Sequence, residues 1–267
     1  MTRTSRTAAR TATRSARTRA LTLAGATAVL LAGLTACGSS ATEDDDPDRR
    51  SFDLPGSTLT IDSDESDLEI VAVDGRPSDR IEVTRWFRGR VVMGSDAKIT
   101  WSMEGDRLVL RQKCAGLITD CDAKHRVEVP RGVAVEVREK DGTVRATGLR
   151  DALSIRTTDG SVHVTDSTGP LDLRTGDGSV HAKVSSRTVR AHSGDGSIHL
   201  QLGTVPDLVE SRSGDGSLTI ELPRATYRVD TETGDGGENV SVPRDDSSSH
   251  EVTARTGDGN LTVRTAN

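Results

Sequence analysis

The chain has 267 residues, with 35 Lys and Arg against 41 Asp and Glu, a net charge of −6. Only 33% of its residues are hydrophobic and five are aromatic. The acidic balance excludes a general nucleic-acid binder, whose phosphate partner requires a basic face. So small an apolar share, below the usual ~45–50%, leaves a disordered chain or a fold in which few residues need burial.

Residues 1–36 read as an export signal. Arg3, Arg6, Arg10, Arg14, Arg17 and Arg19 make a basic start without a carboxylate, and an apolar run from Ala20 to Gly33 comes next. That run is shorter than the ~20 residues a membrane-spanning helix needs, so a cleaved leader is expected. It ends in Leu34-Thr35-Ala36-Cys37, which resembles the lipobox of bacterial lipoproteins. The resemblance implies that Cys37 takes a diacylglyceryl group on sulfur and becomes the mature N-terminus, outside the cell membrane. Two or more acyl chains hold a protein where one is marginal. Residues 37–50 are small, polar and acidic, and their composition predicts a flexible tether. Without the six leader arginines, 29 basic residues face 41 acidic ones, a mature charge of −12. That charge is expected to keep the domain off an anionic membrane surface while the lipid holds it near.

Residues 51–132 hold strand-like stretches, among them STLTIDS, SDLEIVAV, DRIEVTRWF and DRLVLRQK, out of register with the regular repeats of residues 133–267. They predict an irregular β cap over an otherwise open edge. Trp86, Phe87 and Trp101 lie in this region. They form either a sugar-stacking platform or part of the cap's packing, and the alternation of Trp101 with Ile99 and Met103 favours burial. Cys114 and Cys121 flank AGLITD. Outside the cytoplasm such a pair predicts a structural disulfide, and a zinc site would need two more ligands.

From residue 133 to 267 one unit recurs seven times. Asp-Gly pairs begin at Asp141, Asp159, Asp177, Asp195, Asp215, Asp235 and Asp258, at intervals of 18, 18, 18, 20, 20 and 23. Six residues before each Asp stands Val135, Leu153, Leu171, Val189, Val209, Val229 or Val252; five after it stands Ala146, Val164, Ala182, Leu200, Ile220, Val240 or Val263. Three after it the residue is apolar in six units, with Glu238 the exception. The residues between alternate polar and apolar, which predicts strands with one buried face.

Each unit is therefore strand, turn, strand, second turn. The first turn is Gly176-Asp177-Gly178, Gly194-Asp195-Gly196, Gly214-Asp215-Gly216, Gly234-Asp235-Gly236 or Gly257-Asp258-Gly259 in the clearest copies. Its glycines are expected to supply positive φ, and its Asp to bond its own backbone. Thr157, Thr175, Ser193, Ser213, Thr233 and Thr256 repeat before the turn, and Ser161, Ser179, Ser197 and Ser217 after it. A meander gives no reason for such sameness. Stacked coils do, with like hydroxyls expected to bond along the column at the ~4.8 Å strand spacing. The fold expected is all-β: a β-solenoid of about seven coils with an irregular N-terminal cap.

The lipobox, the run VEVPRGVAVEV at 127–137 and the repeated coils look like the bacterial β-strand-repeat lipoproteins named as candidate adhesins. The likeness covers roughly residues 55–265. It implies a β-helical fold and an envelope role, linked in some members to envelope stress, and it carries no catalytic residues.

Other sites are weaker. The Asp column differs from calcium-binding β-rolls, whose repeat is half as long and begins Gly-Gly. His163, His181 and His199 share one column and are expected to stack, either as ordinary exposed positions or as a metal site. No Gly-x-Ser-x-Gly elbow or His-Glu-x-x-His motif occurs. The expectation is a non-enzymatic, lipid-anchored envelope protein without cofactor. Its polar outer face (Asp172, Arg174, His181, Lys183, Arg190, His192, His199, Gln201, Glu210 and Arg212) would bind wall polymer or an envelope protein. The alternatives are an accessory of an envelope-stress system and, behind it, a β-helical polysaccharide-active enzyme.

Overall fold

The computed structural model describes residue 41 and residues 44–266. Cys37 and the leader lie outside them. Among the described residues no helix is long and apolar enough to cross a membrane.

Every repeat forms one coil of two short strands. The regular coils are β6 (Ala134–Glu139) with β7 (Val144–Thr147), β8 (Leu153–Thr157) with β9 (Val162–Thr165), and β10 (Leu171–Thr175) with β11 (Val180–Val184). β12 (Thr188–Ser193) with β13 (Ile198–Leu202) and β14 (Leu208–Ser213) with β15 (Leu218–Leu222) continue the series. First strands pair in parallel with first strands and second with second, so that Leu171 lies beside Leu153 and Val189, and Val180 beside Val162 and Ile198. The alternating side chains put every second residue into the gap between the two stacks, where Val189, Val209, Leu173, Leu200 and Ile220 are wholly buried. Each such burial is worth ~1.5–3 kcal/mol. Large and small residues compensate within a coil: Leu173 accompanies Ala182, Ala191 accompanies Leu200, and Ser211 accompanies Ile220.

The stacking order departs from chain order at both ends. β16 (Arg228–Thr233) and β17 (Glu238–Val240) come after β15 in sequence, yet β14 and β15 pair with β18 (Glu251–Thr256) and β19 (Leu261–Thr265). β16 and β17 pair with the far side of β18 and β19. The chain thus passes over the space of one coil, builds the end coil and returns to fill the gap. The order of the coils in space therefore differs from their order in the chain. This order explains Glu238: in the end coil its position faces solvent rather than another coil, and it accepts a 2.7 Å hydrogen bond from Thr231 Oγ1.

The N-terminal end has a matching arrangement. β2 (Thr58–Ser63) and β3 (Asp67–Val73) form a full coil in register with β6 and β7, Leu59 beside Val135 and Leu68 beside Val144. The boundary at residue 132 therefore does not separate cap from solenoid. Above this coil lies β5 (Arg107–Pro130), whose first residues pair with β2 and whose last pair with β3. Antiparallel to all of β5 runs β4 (Arg80–Glu104), and β1 (Asp48–Asp53) lies against β4. Part of the expected tether is therefore fixed: β1 begins at Asp48, the Asp44 carboxylate accepts from Phe87 N at 3.1 Å, and Asp48 pairs with Arg85. Trp101 is half-buried against this core, edge-on to Phe52 at 6.1 Å.

The turns hold the stack together in a way that differs from the expectation in two respects. None of the glycines at 176, 178, 194, 196, 214, 216, 234, 236, 257 and 259 lies in the left-handed region. They are needed because coils approach so closely: a Cβ on Gly196 would stand 2.0 Å from the carbonyl oxygen of Gly178. The corner is held by the hydroxyl two residues before Asp, not by the carboxylate. Ser193 Oγ accepts from Gly196 N at 2.9 Å and donates to Gly178 O of the coil before at 2.8 Å. Thr175, Ser213 and Thr256 make the same upward bond to Gly160, Gly196 and Gly216. The hydroxyls of the column before the turn thus bond to backbone rather than to one another, whereas on the second-strand stack the neighbouring hydroxyls of Thr147 and Thr165 do meet, at 3.1 Å. Thr233 donates to Gly259 O at 3.1 Å, in keeping with the spatial order of coils rather than the order of the chain.

Candidate functional site

The outward residues of the first-strand stack form two rows. One row reads, coil by coil, Arg138, Arg156, Arg174, His192, Arg212 and Arg255. It is bounded by Asp62 at one end and Glu232 at the other. The row beside it reads Glu136, Ser154, Asp172, Arg190, Glu210 and Thr253. Parallel in-register pairing repeats these positions every ~4.8 Å. Across the six coils the two rows carry six arginines against three carboxylates.

The carboxylates position the guanidinium groups without neutralising them all. Asp172 bridges Arg174 at 2.9 Å and Arg156 at 3.4 Å; Glu210 bridges Arg190 at 3.4 Å and Arg212 at 3.8 Å. The Asp172 carboxylate beside Arg174 raises that guanidinium further above its ordinary value, so it stays charged throughout. Each arginine carries five N–H donors in a rigid fork suited to carboxylate or phosphate, and a shared carboxylate uses only some of them. Asp172, Arg174, Arg190, His192, Glu210 and Arg212 ring a shallow depression of about 250 Å³ over Ala191.

Six of the ten outer-face residues anticipated from sequence therefore come together here, while His181, Lys183, His199 and Gln201 lie on the opposite stack. There the histidines do stack: the rings of His163 and His181 are nearly parallel with centroids 5.1 Å apart, and those of His181 and His199 are 6.3 Å apart. Partial burial, then the charges of His181 and Arg145, lower the His163 pKa. Among the described residues no group of three His, Cys, Asp or Glu side chains is placed to hold a metal ion. In the turn column, a hydrogen bond shared with Asp141 raises the pKa of Asp159.

Cys114 and Cys121 form a disulfide with their Cα atoms 6.5 Å apart. A buried polar cluster went unnoticed in the sequence. Ser66 Oγ lies 3.0 Å from Ser63 Oγ and 3.1 Å from His125 Nδ1, and Ser66 N donates to Glu139 Oε1 at 3.4 Å. Burial pushes the Glu139 carboxyl up to about 7 and, with the charge of Arg85, pushes His125 down to about 3. A visible signal existed: Glu139 occupies the hydroxyl column, beside Ser63 on one side and Thr157 on the other. All four groups are buried, so they meet no external substrate.

Stacked parallel coils, a hydroxyl ladder and charged outer rows define the class: a β-solenoid presenting repetitive polar faces. The chain belongs to the Toastrack DUF4097 family, which it matches over residues 57–267. It is similar to a candidate adhesin of Bacteroides fragilis NCTC 9343, at 12% identity over 86% of this chain and 100% of that one, with a TM-score of 0.47. A candidate adhesin of Parabacteroides merdae ATCC 43184 matches at 12% identity over 84% and 98% of the two chains, with a TM-score of 0.46. A candidate cell adhesion protein of Clostridium sporogenes ATCC 15579 matches at 11% identity over 83% and 100%, with a TM-score of 0.31. A search of the curated proteins finds no match.

Proposed function

We propose that the protein is a non-enzymatic, lipid-anchored, extracytoplasmic binding protein that holds extended acidic components of the cell envelope on its arginine-lined face. The observation that carries this reading is the unbroken row Arg138, Arg156, Arg174, His192, Arg212 and Arg255 on a chain whose overall charge is negative. A row of donors at one repeat suits a linear partner with anionic groups along its length, because guanidinium forks recognise carboxylate and phosphate alike. The rows are half-exposed and free of aromatics, so individual contacts are weak, and many anchored copies supply avidity. The anchor itself is Cys37, on the strength of its lipobox.

Binding of the full-length protein to purified wall of its host tests the reading. Reversing Arg156 and Arg174 to Glu should abolish salt-sensitive binding of bead-arrayed protein, while Lys183→Glu on the opposite stack should leave it intact. Equal binding by both variants would overturn the assignment to this face. Tight binding of one small molecule by the monomer would point instead to an enzyme. Loss of fatty-acid labelling in Cys37→Ala checks the anchor separately.

A further inference from the structure

The middle of the β4–β5 ribbon pairs with no strand of the solenoid, and at its root Arg111 donates to Asp62 O at 2.8 Å and to Asp62 Oδ1 at 2.9 Å. Residues 107–110 of β5 pair with β2 and residues 124–130 pair with β3, but residues 111–123 pair only with β4. Where β2 turns into β3 across three residues, β5 takes thirteen. Both ribbon strands fold back on themselves: a Cβ on Gly89 would stand 2.7 Å from the Ala97 Cβ, and the disulfide draws Cys114 to Cys121. The result is a braced, two-stranded finger with its apex between the cysteines.

The composition of this finger is unlike that of the rest of the protein. Its apex segments read Val91-Val92-Met93 and Ala115-Gly116-Leu117-Ile118. Leu117, at 78% exposure, is the one large hydrophobic side chain standing in solvent among the described residues. The flanks carry Arg88, Arg90, Lys98 and Lys113 against Asp96, Asp120 and Asp122, a small positive excess on an acidic chain, while Arg111 is tied to Asp62 and Asp64 of the first coil. Lys98 lies directly opposite Lys113, and both are exposed. Like charges facing across a strand pair are destabilising on their own, and an anionic surface above them removes that cost.

The path of the chain supplies the occupant. Ala41 N donates to Asp122 Oδ2 at 2.6 Å, beside Cys121. Cys37 stands four positions before Ala41, a reach of at most ~14 Å. We propose that the finger is a membrane-contact element whose apolar apex seats in the headgroup region of an anionic lipid surface, with its lysines and arginines against the lipid phosphates. The proposal rests on the lipid anchor at Cys37 and adds an orientation to it: the finger meets the bilayer and the arginine rows are displayed beside it. Apolar burial combined with basic flanks is the ordinary chemistry of interfacial attachment, here confined to one local patch that the overall charge conceals.

The test uses the full-length lipidated protein in vesicles of brominated phosphatidylglycerol or brominated phosphatidylcholine. Leu117→Trp should lose most of its added emission to quenching in the anionic vesicles. It should lose much less in the neutral ones, and less again when Lys98 and Lys113 are both changed to Glu. Asn239→Trp, in the far end coil, should be quenched in neither. Flotation reports the anchor and quenching reports the finger. Protein that floats with the Leu117→Trp emission unquenched overturns the finger and leaves the anchor standing, whereas protein that fails to float overturns both.

Discussion

The middle coils and the two ends of the stack are built from similar strands by different rules. Between β6 and β15 each coil neighbours the coil next to it in sequence, and sameness of residues is enough to specify the packing. At the C-terminal end the chain overshoots, makes the outermost layer and returns to fill the layer beneath. At the N-terminal end it makes the second layer first, then the outermost one, and passes back across the second to begin the regular coils. At the N-terminal end the outermost layer is the β4–β5 ribbon, over the β2–β3 coil; at the C-terminal end it is β16 and β17, over β18 and β19. Repetition can lengthen a solenoid but cannot finish one, because an end coil has a bare strand edge. The ends therefore use charge and irregularity: Arg228, Asp230, Glu232 and Glu238 crowd the last coil.

This contrast can be broken most severely at the C-terminal end. Deleting residues 251–267 removes an interior coil and should abolish cooperative unfolding of everything beyond β15, read by circular dichroism. Excising residues 228–250 removes the true end coil and joins β15 to β18 through five residues, the length that joins β13 to β14. That shorter protein should remain folded, although it loses more residues. The reverse result would refute the interleaved order.

Within the regular coils, Val189→Asp places an unpaired carboxylate at a fully buried position and should cost about 4 kcal/mol. His192→Ala, on the exposed side of the same strand, should change stability by less than about 0.5 kcal/mol. Parallel urea melts of the two variants measure the difference, and equal losses would mean that the register is wrong.

At the joint between the regular coils and the N-terminal end, pH separates the two regimes. Glu139 is raised to about 7 from 4.5, so its stabilising contribution is complete below 4.5 and is lost as pH rises through 7. His125 is lowered to about 3 from 6.5, so its contribution is present above 6.5 and is lost as pH falls through 3. The two slopes oppose each other between 4.5 and 6.5. Their sum predicts a plateau there, with a fall between 6.5 and about 7 belonging to Glu139. The whole Glu139 contribution is on the order of 3 kcal/mol. Melting temperature against pH should show this fall in the wild type and not in Glu139→Gln.

A last test concerns the turn. Ser193→Ala leaves Gly196 N and Gly178 O without their shared hydroxyl and should cost about 2 kcal/mol. Ser193→Thr, which restores the partner found at Thr175, should recover most of that loss in the same melts.

The coil itself was legible because burial in a narrow core imposes period-two alternation, and Val189 or Leu200 can be placed from spacing alone. Coil order was not legible. Val229 and Val252 are equally good neighbours for Val209, and nothing local to either strand says which is adjacent. The intervals of 20 and 23 and the odd residue Glu238 were the only marks of the detour. The arginine row was hidden for the same reason. In chain order Glu232 falls between Arg212 and Arg255 and interrupts the row, whereas in space it stands at the end. The glycine turns were located correctly but explained by the wrong physics, since a sequence displays the absence of a side chain without saying whether backbone angle or a neighbouring backbone demands it.

The interleaved end also has a consequence in time. A chain synthesised from its N-terminus presents β14 and β15 with a bare edge, and then β16 and β17 with another, before their common partner exists. Residues 251–265 close both edges at once. The last segment to arrive thus acts as a keystone rather than a coping stone. A ribosome that stalls within the final repeat leaves two adhesive strand edges one coil apart, the geometry in which a neighbouring nascent chain can insert the missing coil.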